Sequence, residues 1–440
     1  MKIYFDTLGC PKNFNDSEHA CGILEEAGHL IVDDILQAEA VVINTCGFIN
    51  DAKRESINRI IEIAETIDPE TILIVAGCLS MRYGDELFQE MPEVDIFIGV
   101  NDYSALPGIL DNYHRNSREK HFAPCPETFE EFTARKLEER PFSVTLRLSE
   151  GCDNSCAYCV IPQIRGHYRS RDYESIIEEA ADLGKKGCRE LILIAQDVTN
   201  YGYDLYGEAR LPELLRELCG LENIRWIRLM YCYEDKITDD LMDVMASEKK
   251  ICHYIDMPVQ HLSDNILNSM KRRSTQQSIV ETVNALRNKI PDIHIRTTLI
   301  TGFPGETEED FEELLKMAGK LKFERLGVFA YSPEEGTPAA VFPNHVPDEE
   351  KQIRRDAIMR KQLEISLENN QKLLGKILEV IIEGSDEDGS YYGRSRYDAP
   401  EIDNSVILTS EKPLQPGDIV NARIVDAFDY DLVGIVLNSL

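Results

Sequence analysis

Glu150-Gly-Cys-Asp-Asn-Ser-Cys-Ala-Tyr-Cys159 is the stretch that decides the fold of this chain. It follows an extended run, Ser143-Val-Thr-Leu-Arg-Leu-Ser149, and its three thiols, Cys152, Cys156 and Cys159, have the spacing C-x3-C-x2-C. Gly151 and Pro162 favour a loop here rather than a helix. A structural zinc site needs four protein ligands, whereas an iron–sulfur cluster held by three thiolates leaves one iron open. The pattern therefore predicts a metal site with one open position.

The aromatic residue within this loop narrows the prediction. With Tyr158 before the third thiol, the spacing C-x3-C-x-aromatic-C resembles the signature of the radical S-adenosylmethionine (SAM) superfamily. The resemblance implies a [4Fe-4S] cluster on Cys152, Cys156 and Cys159, with SAM at its open iron. The alternative is a zinc knuckle, or three unrelated thiols.

The composition restricts the compartment and the remaining cysteines. A chain of 440 residues has room for two or three domains. It has no basic leader with an apolar segment and no apolar stretch of about 18 residues, which predicts a cytoplasmic protein without a membrane partner. Twelve cysteines stay reduced in that compartment. Those in apolar surroundings are predicted to be buried hydrophobic residues: Cys21, Cys188, Cys219, Cys232 and Cys252. No role is predicted for Cys125.

The net charge favours some partners over others. The chain carries 79 acidic and 47 basic residues, a net charge of −32. Nucleic acids are bound through cations that meet phosphates, so this balance disfavours tRNA and other RNA as a partner. A basic protein substrate is favoured instead.

Residues 1–112 alternate between apolar strands and helices, which predicts an open parallel α/β sheet covered on both faces. Cys10, Cys46 and Cys78 each follow one of its predicted strands. Parallel sheets gather their ligands at the carboxyl ends of the strands, so these thiols can converge. The adjacent Gly9, Gly47 and Gly77 allow the backbone to approach a bulky inorganic group closely. The arrangement predicts a second three-thiolate cluster, with chance burial as the alternative.

Residues 113–141 are charged and rich in Pro, which predicts a linker. Five or six βα repeats follow over residues 142–347. They predict a partial (β/α) barrel, similar to a TIM barrel, with its site at the carboxyl end of the strands. Gln196 follows its second strand. Gly302, Gly305 and Glu306 resemble the I-x-G-x-x-G-E stretch that lies against SAM in the radical SAM superfamily. We predict these four residues to bind the cofactor and predict no catalytic residue beyond the clusters. Arg165, Arg169 and Arg171 are interpreted as a solvated or cluster-neutralising cationic edge.

Residues 348–372 predict a connecting helix, and the short strands of residues 373–440 predict a small β-barrel. Such a barrel often binds RNA. From Leu373 onward, however, the chain has thirteen acidic and five basic residues, a net charge of −8. This barrel is therefore predicted to repel phosphates and to attract a cationic protein.

From end to end the chain resembles the radical SAM methylthiotransferases, which join an N-terminal three-cysteine domain, a radical SAM core and a C-terminal TRAM barrel. The branch that modifies an aspartate of ribosomal protein S-twelve of the small subunit is the most similar. The stretches that carry this resemblance are Gly9-Cys-Pro-Lys-Asn13, Glu150-Gly-Cys-Asp-Asn154, Ile161-Pro-Gln-Ile-Arg-Gly166, Ala195-Gln-Asp197 and Tyr331-Ser-Pro-Glu-Glu-Gly-Thr337. The tRNA-modifying branch typically has Gln and Met in place of Pro11 and Lys12. Phe14-Asn15 departs from the Val usually seen before Asp-Ser-Glu, without affecting a ligand.

The resemblance implies two [4Fe-4S] clusters, SAM, and an electron donor such as a flavodoxin or ferredoxin. The first cluster would cleave SAM, and the cluster on Cys10, Cys46 and Cys78 would supply the methylated sulfur for the β-carbon of the aspartate. Two alternatives stay open: a tRNA adenosine methylthiotransferase, and a non-catalytic ribosome-associated zinc or iron–sulfur protein.

Overall fold

The structure is a computed structural model that describes residues 1–115, 117–131, 134–137, 141–387 and 389–437. Two parallel sheets and a closed barrel follow one another along the chain. No helix within these ranges is long and apolar enough to cross a membrane.

The N-terminal sheet has six parallel strands in the order β2-β1-β3-β4-β5-β6. The strands are β1 (Lys2–Thr7), β2 (Leu30–Ile31), β3 (Ala40–Thr45), β4 (Ile72–Gly77), β5 (Ile96–Ile98) and β6 (Glu119–His121), and the helices are α1 (Pro11–Glu26), α2 (Asn50–Thr66), α3 (Cys78–Glu90) and α4 (Leu106–Asn112). All residues of β3 and β4 are buried, because helices cover both faces of the sheet. This confirms the predicted open parallel sheet.

One strand of this sheet lies within the segment predicted to be a linker. Strand β6 pairs with β5, which extends the sheet beyond residue 112. Glu119, Lys120 and His121 are polar because β6 is an edge strand, with one neighbour and little buried surface. Residues 116, 132, 133 and 138–140 of the same predicted linker lie outside the described residues.

The central sheet also has six parallel strands, in the order β14-β13-β12-β11-β10-β7, and forms a partial barrel. Its strands are β7 (Ser143–Arg147), β10 (Glu190–Ile194), β11 (Trp226–Leu229), β12 (Ile251–Asp256), β13 (His294–Thr301) and β14 (Arg325–Ala330), with a separate antiparallel pair, β8 (Ser149–Glu150) and β9 (Arg169–Ser170). The helices are α5 (Ile161–Arg165), α6 (Tyr173–Lys185), α7 (Tyr203–Tyr206), α8 (Leu211–Cys219), α9 (Asp239–Ser247), α10 (Asp264–Ser269), α11 (Gln276–Lys289) and α12 (Glu308–Leu321). Short 3₁₀ helices occur at Ile35–Gln37, Tyr103–Ala105, Val198–Asn200, Glu234–Lys236 and Pro338–Val341.

A long helix, α13 (Asp348–Gln371), leads to the C-terminal barrel. The barrel is closed in the order β15-β16-β17-β19-β18, from β15 (Ile377–Ser385), β16 (Tyr391–Ser395), β17 (Val406–Thr409), β18 (Ile419–Ala427) and β19 (Leu432–Val436). The five-stranded closed barrel confirms the predicted small β-barrel at the C-terminal end of the chain.

The C-terminal barrel contacts the central sheet at the amino ends of its strands. Glu190, the first residue of β10, is fully buried and accepts hydrogen bonds from Arg394 of β16 and Arg228 of β11. Arg325, the first residue of β14, donates to Asp398 after β16. Because the cysteine loop follows the opposite end of β7, the C-terminal barrel lies at the far end of the central domain from that loop.

Candidate active site

The first cysteine trio lies on a loop fixed by a glycine and a β-ribbon. Cys152 and Cys156 are buried and Cys159 is half-buried, directly after β8. Gly151 has φ +78°, and a Cβ there would lie 2.0 Å from the carbonyl oxygen of His167. Only glycine fits, because the β8–β9 ribbon brings the two backbones together. The loop therefore leaves the carboxyl end of the central sheet in a fixed direction.

The second trio sits at the carboxyl ends of three adjacent strands. Cys10, Cys46 and Cys78 follow β1, β3 and β4, which are neighbours in the sheet. A Cβ on Gly9 would lie 3.2 Å from the sulfur of Cys46, so this glycine, at φ +98°, allows close packing around the thiols. Burial, together with the charges of Cys78 and Cys10, raises the pKa of Cys46 to about 12. The sheet thus brings the predicted N-terminal trio together.

The elements next to the two trios meet at the contact between the N-terminal and central domains. Helix α3, which begins at Cys78, packs on α5, which follows the first trio. Cys78 lies among Val160 and Ile164, and its sulfur accepts a hydrogen bond from Arg165, with 3.4 Å between Nη2 and Sγ. The short helix α5 therefore lies between the loop that carries Cys159 and the thiol of Cys78 in the other trio.

Buried ion pairs fix this contact. Arg147 of β7 and Arg165 of α5 both bind Asp16 of α1 and Glu150 of β8, with distances of 2.7 Å from Arg147 to Glu150 and 2.9 Å from Arg165 to Asp16. All four side chains are at most 11% exposed. Burial alone would raise the pKa of Glu150, but Arg165 and Arg147 hold it at about 2. Glu150 therefore stays charged between the two domains.

The interpretation of three arginines as a solvated edge is wrong. Arg165, Arg169 and Arg171 are 2%, 4% and 3% exposed. Arg171 pairs with Glu131 and Glu179, and Arg169 bonds to the sulfur of Cys125 and to backbone carbonyls. Carboxylates therefore compensate the charges of Arg165 and Arg171 inside the protein, whereas Arg169 meets uncharged acceptors. Only Arg165, against Cys78, can neutralise a cluster.

The donor set fits two iron–sulfur clusters. Each trio offers three soft thiol ligands, and burial raises the pKa of Cys159, like that of Cys46, to about 12. Metal binding displaces these thiol protons, so loading of the clusters releases protons. Within the described ranges, no group of three or more His, Cys, Asp or Glu side chains is arranged to hold one metal ion.

Gln196 offers an acceptor for SAM beside the first trio. Its Nε2 donates to Glu150 at 2.6 Å, whereas its Oε1 is buried and has no hydrogen-bond partner among the described residues. An unsatisfied buried acceptor carries a free-energy cost of about 1–3 kcal/mol. An ammonium group such as the one SAM carries would satisfy it, so the residues present fit the cofactor.

The glycine-rich turn after β13 is held by Glu306. Gly302 and Gly305 have φ values of +72° and +87°. The side chain of Glu306 is fully buried, accepts from the Gly302 backbone at 2.9 Å and pairs with Arg354 at 2.8 Å. Glu306 therefore shapes the turn at the carboxyl end of β13. Contact of these three residues with SAM stays a prediction.

Sequence reasoning missed two polar residues at the site. Asn154 donates to the sulfur of Cys152 at 3.5 Å and to Asp197 at 2.8 Å, which ties the loop to β10. Lys12 is 9% exposed, and its Nζ lies 3.6 Å from the ring centroid of Tyr231, after β11. Its charge acts on Cys159 in one trio and on Cys10 in the other. Two signals could have pointed to it: its place two residues after Cys10, and the Met that the tRNA-modifying branch typically has at this position.

The remaining cysteines agree with the prediction of buried hydrophobic residues in most cases. Cys21, Cys188, Cys232 and Cys252 are buried, and Cys219 is half-buried.

Comparisons with known proteins cover all three parts of the chain. Family profiles match residues 2–99 (Uncharacterized protein family UPF0004), 146–318 (Radical SAM superfamily) and 374–437 (TRAM domain). A solved radical S-adenosylmethionine methyltransferase, TsrM from Kitasatospora setae with cobalamin and a [4Fe-4S] cluster bound, is similar over 77% of this chain and 74% of its own, with TM-score 0.56 and 15% identity. At that identity the likeness concerns the fold alone. The fold and the thiol-bearing loop define a radical SAM enzyme.

Full-length curated relatives identify the family to which this chain belongs. The ribosomal protein uS12 methylthiotransferase RimO of Clostridioides difficile (strain 630) is 45% identical over 442 residues, 100% of each chain. That of Desulforamulus reducens is 47% identical over 434 residues, 97% of this chain and 98% of its own. The chain belongs to the family of ribosomal protein uS12 methylthiotransferases. It is a radical SAM enzyme that uses SAM and [4Fe-4S] clusters.

Proposed function

We propose that this chain transfers a methylthio group to the β-carbon of an aspartate in ribosomal protein uS12, the small-subunit protein S-twelve. Cys152, Cys156 and Cys159 would hold the cluster that binds SAM, and Cys10, Cys46 and Cys78 the second cluster. The observation that carries the proposal is the packing of α5, which follows the first trio, on α3, which begins at Cys78 of the second, because the reaction needs the two metal centres near each other.

The chemistry requires such an arrangement. The β-carbon C–H bond of an aspartate is not acidic enough for a general base to break at a useful rate. When bound, SAM and the clusters supply the electron, the radical that takes the hydrogen atom and the methylated sulfur that replaces it. The residues of the chain hold the two centres in place and keep water out.

The polar residues around the trios have distinct roles in this proposal. Arg165 lies against Cys78 and offsets negative charge at the second centre. Gln196 offers its free Oε1 to the SAM ammonium. Gly302, Gly305 and Glu306 form a turn that would lie against the rest of SAM.

Charge supports a protein substrate over tRNA. Of the five basic residues in the C-terminal barrel, Arg394 and Arg396 bind groups of the central domain, so only Lys376, Lys412 and Arg423 remain on its exposed surface. No basic face therefore offsets its thirteen acidic residues. We propose that the enzyme works in the cytoplasm with an electron donor such as a flavodoxin or ferredoxin.

The proposal divides the chain into units with separate tasks. Residues 1–112 would hold the second cluster, 142–347 the radical SAM core and 373–440 the TRAM barrel. Residues 113–141 and 348–372 would connect them.

Mass spectrometry tests the proposed function. uS12 and tRNA from cells with and without this gene are compared; we expect a methylthio group on one uS12 aspartate that disappears with the gene. Loss of a methylthio group from tRNA, with uS12 unchanged, would favour the tRNA alternative. Iron and sulfide analysis of anaerobically reconstituted protein should give about eight iron atoms per chain, four for each cluster. One zinc with little iron would favour the non-catalytic alternative.

A further inference from the structure

Lys12 is a largely buried cation at the domain contact that has no ion-paired carboxylate among the described residues. Its side chain is nine-tenths buried, and Nζ lies over the ring of Tyr231 at 3.6 Å. Among the described residues, no carboxylate or other acceptor lies within bonding distance of this Nζ. A buried ammonium without a carboxylate partner is costly, because burial removes its hydration.

The other cations around the site have their partners. Arg147 and Arg165 share Asp16 and Glu150, whereas Arg169 has no carboxylate partner among the described residues and its Nη1 and Nη2 donate to a sulfur and two carbonyls. Three further cations pair with carboxylates at or within 2.9 Å: Lys236 with Asp197, Arg272 with Glu234, and Arg296 with Asp256. Lys12 differs from these residues because its Nζ donates to no acceptor among the described residues, so the ammonium can bind an incoming group.

Its position matches the place where the substrate must react. The backbone carbonyl of Lys12 accepts from Arg147 of β7 at 3.2 Å, so the start of α1 is fixed against the central domain. Tyr231 follows β11 at the carboxyl end of the central sheet. Lys12 lies two residues after Cys10 of the N-terminal trio, and its Nζ meets the Tyr231 ring of the central domain, so the ammonium group lies where the strand ends of the two domains meet.

We propose that the Lys12 ammonium binds the carboxylate of the substrate aspartate. The inference rests on the proposed function, since it assigns the residue that recognises the side chain to be modified. The reacting β-carbon is bonded directly to that carboxylate carbon, so one ion pair fixes both the identity of the side chain and the position of its C–H bond. The carboxylate in turn provides the counter-charge that Lys12 lacks.

Binding to uS12 tests the proposal without relying on turnover. The reconstituted holoenzyme with SAM, but without reductant, is titrated with uS12 carrying Asp or Asn at the aspartate that mass spectrometry identifies. We expect the Asn form to bind about tenfold or more weakly, since it cannot form the charge-assisted hydrogen bond to Lys12. Equal affinity for the two forms would overturn the proposal, and this arm needs no enzyme variant.

The variant Lys12→Met keeps an unbranched side chain on the Tyr231 ring and removes the charge. It should bind the Asp form about tenfold more weakly than the unmodified enzyme and should bind the Asp and Asn forms equally. If Lys12→Met weakens both forms by the same factor, Lys12 only offsets the charge of the metal centres and the proposal fails. Iron content and circular dichroism confirm that the variant is loaded and folded.

Lys120→Met is the matched control. Lys120 belongs to the same domain and lies 5.6 Å from the ring of Phe88, but it is exposed and pairs with Asp85. Its loss should leave the preference for Asp unchanged. Failure of the proposed function would look different: uS12 would carry no gene-dependent methylthio group, whatever the Lys12 variants bind.

Discussion

Glu150→Gln should weaken the contact between the N-terminal domain and the central sheet and lower the stability of the protein. Glu150 accepts from Arg147 at 2.7 Å, from Arg165 at 3.2 Å and from Gln196 at 2.6 Å, and it is 9% exposed. Glutamine has nearly the same shape, so the change removes the charge and little else. Arg147 and Arg165 would then share the single carboxylate of Asp16.

The pKa of Glu150 sets the size of the effect. Although burial raises the pKa, the two arginines lower it from the ordinary 4.5 to about 2. A shift of that size corresponds to about 3 kcal/mol in favour of the charged carboxylate in the folded state. Removal of one member of a buried ion pair typically lowers the stability by about 3–5 kcal/mol, in agreement with the value from the pKa shift. We expect Glu150→Gln to lower the free energy of unfolding by about 3 kcal/mol.

Urea unfolding, followed by the fluorescence of Trp226, measures this quantity. Trp226 is the only tryptophan of the chain and is 1% exposed within the central domain. A carboxyl group whose pKa is lower in the folded state stabilises the protein above the unfolded pKa, and loses this effect as the pH falls towards the folded value. The difference between the unmodified protein and Glu150→Gln should therefore shrink from about 3 kcal/mol near neutral pH to about 1.5 kcal/mol at pH 3.

Glu364→Gln provides the control. Glu364 pairs with Lys361 at 2.8 Å on α13, but its side chain is 70% exposed. Its loss should change the stability by less than about 1 kcal/mol at either pH. A Glu150→Gln effect as small as this, or one that does not depend on pH between 3 and 6, would refute the argument that Glu150 is held ionised by the arginines.

Three further predictions concern the reaction and its partners. Cys156→Ala should abolish the reductive cleavage of SAM, measured as 5′-deoxyadenosine, whereas Cys46→Ala should retain cleavage and lose methylthio transfer to uS12. Gln196→Ala should weaken SAM binding about tenfold in equilibrium dialysis, because the free Oε1 is lost. The affinity for basic uS12 should fall as salt rises from 50 to about 300 mM, because a net charge of −32 attracts cations over a Debye length that shortens with salt.

Each of these three predictions has a result that would contradict it. Continued 5′-deoxyadenosine formation by Cys156→Ala would remove this thiol from the SAM-binding centre, and methylthio product from Cys46→Ala would exclude the second centre. Unchanged SAM affinity in Gln196→Ala would assign the free oxygen to another ligand. A salt-independent affinity for uS12 would mean that the acidic surface plays no part in binding.

The local pattern of the sequence was enough to predict the sheets. Apolar runs such as Val41–Thr45 and Ile72–Ala76 must be buried on both faces, and the structure places them at the centre of the N-terminal sheet. Since cysteines directly follow these strands, their convergence could be predicted as well. Strand β6 was missed because an edge strand needs no apolar pattern.

The charged side chains were less predictable. Arg165 meets Asp16, 149 residues away, and Cys78, 87 residues away. No local pattern indicates such partners, so an arginine-rich stretch looked like an exposed edge. The position of Lys12 over Tyr231 likewise depends on how two domains meet.

Buried ion pairs occur at both ends of the central domain, and their energetics indicate a role in the orientation of the domains. Arg147, Asp16 and Arg165 join it to the N-terminal domain, while Glu190 and Arg394 join it to the C-terminal barrel. Burying such charges costs several kcal/mol of desolvation, so apolar contacts would stabilise each interface at least as well. Ion pairs, however, are satisfied in only one orientation. Because transfer between two metal centres depends on their relative position, we infer that the pairs at the N-terminal contact maintain alignment more than stability.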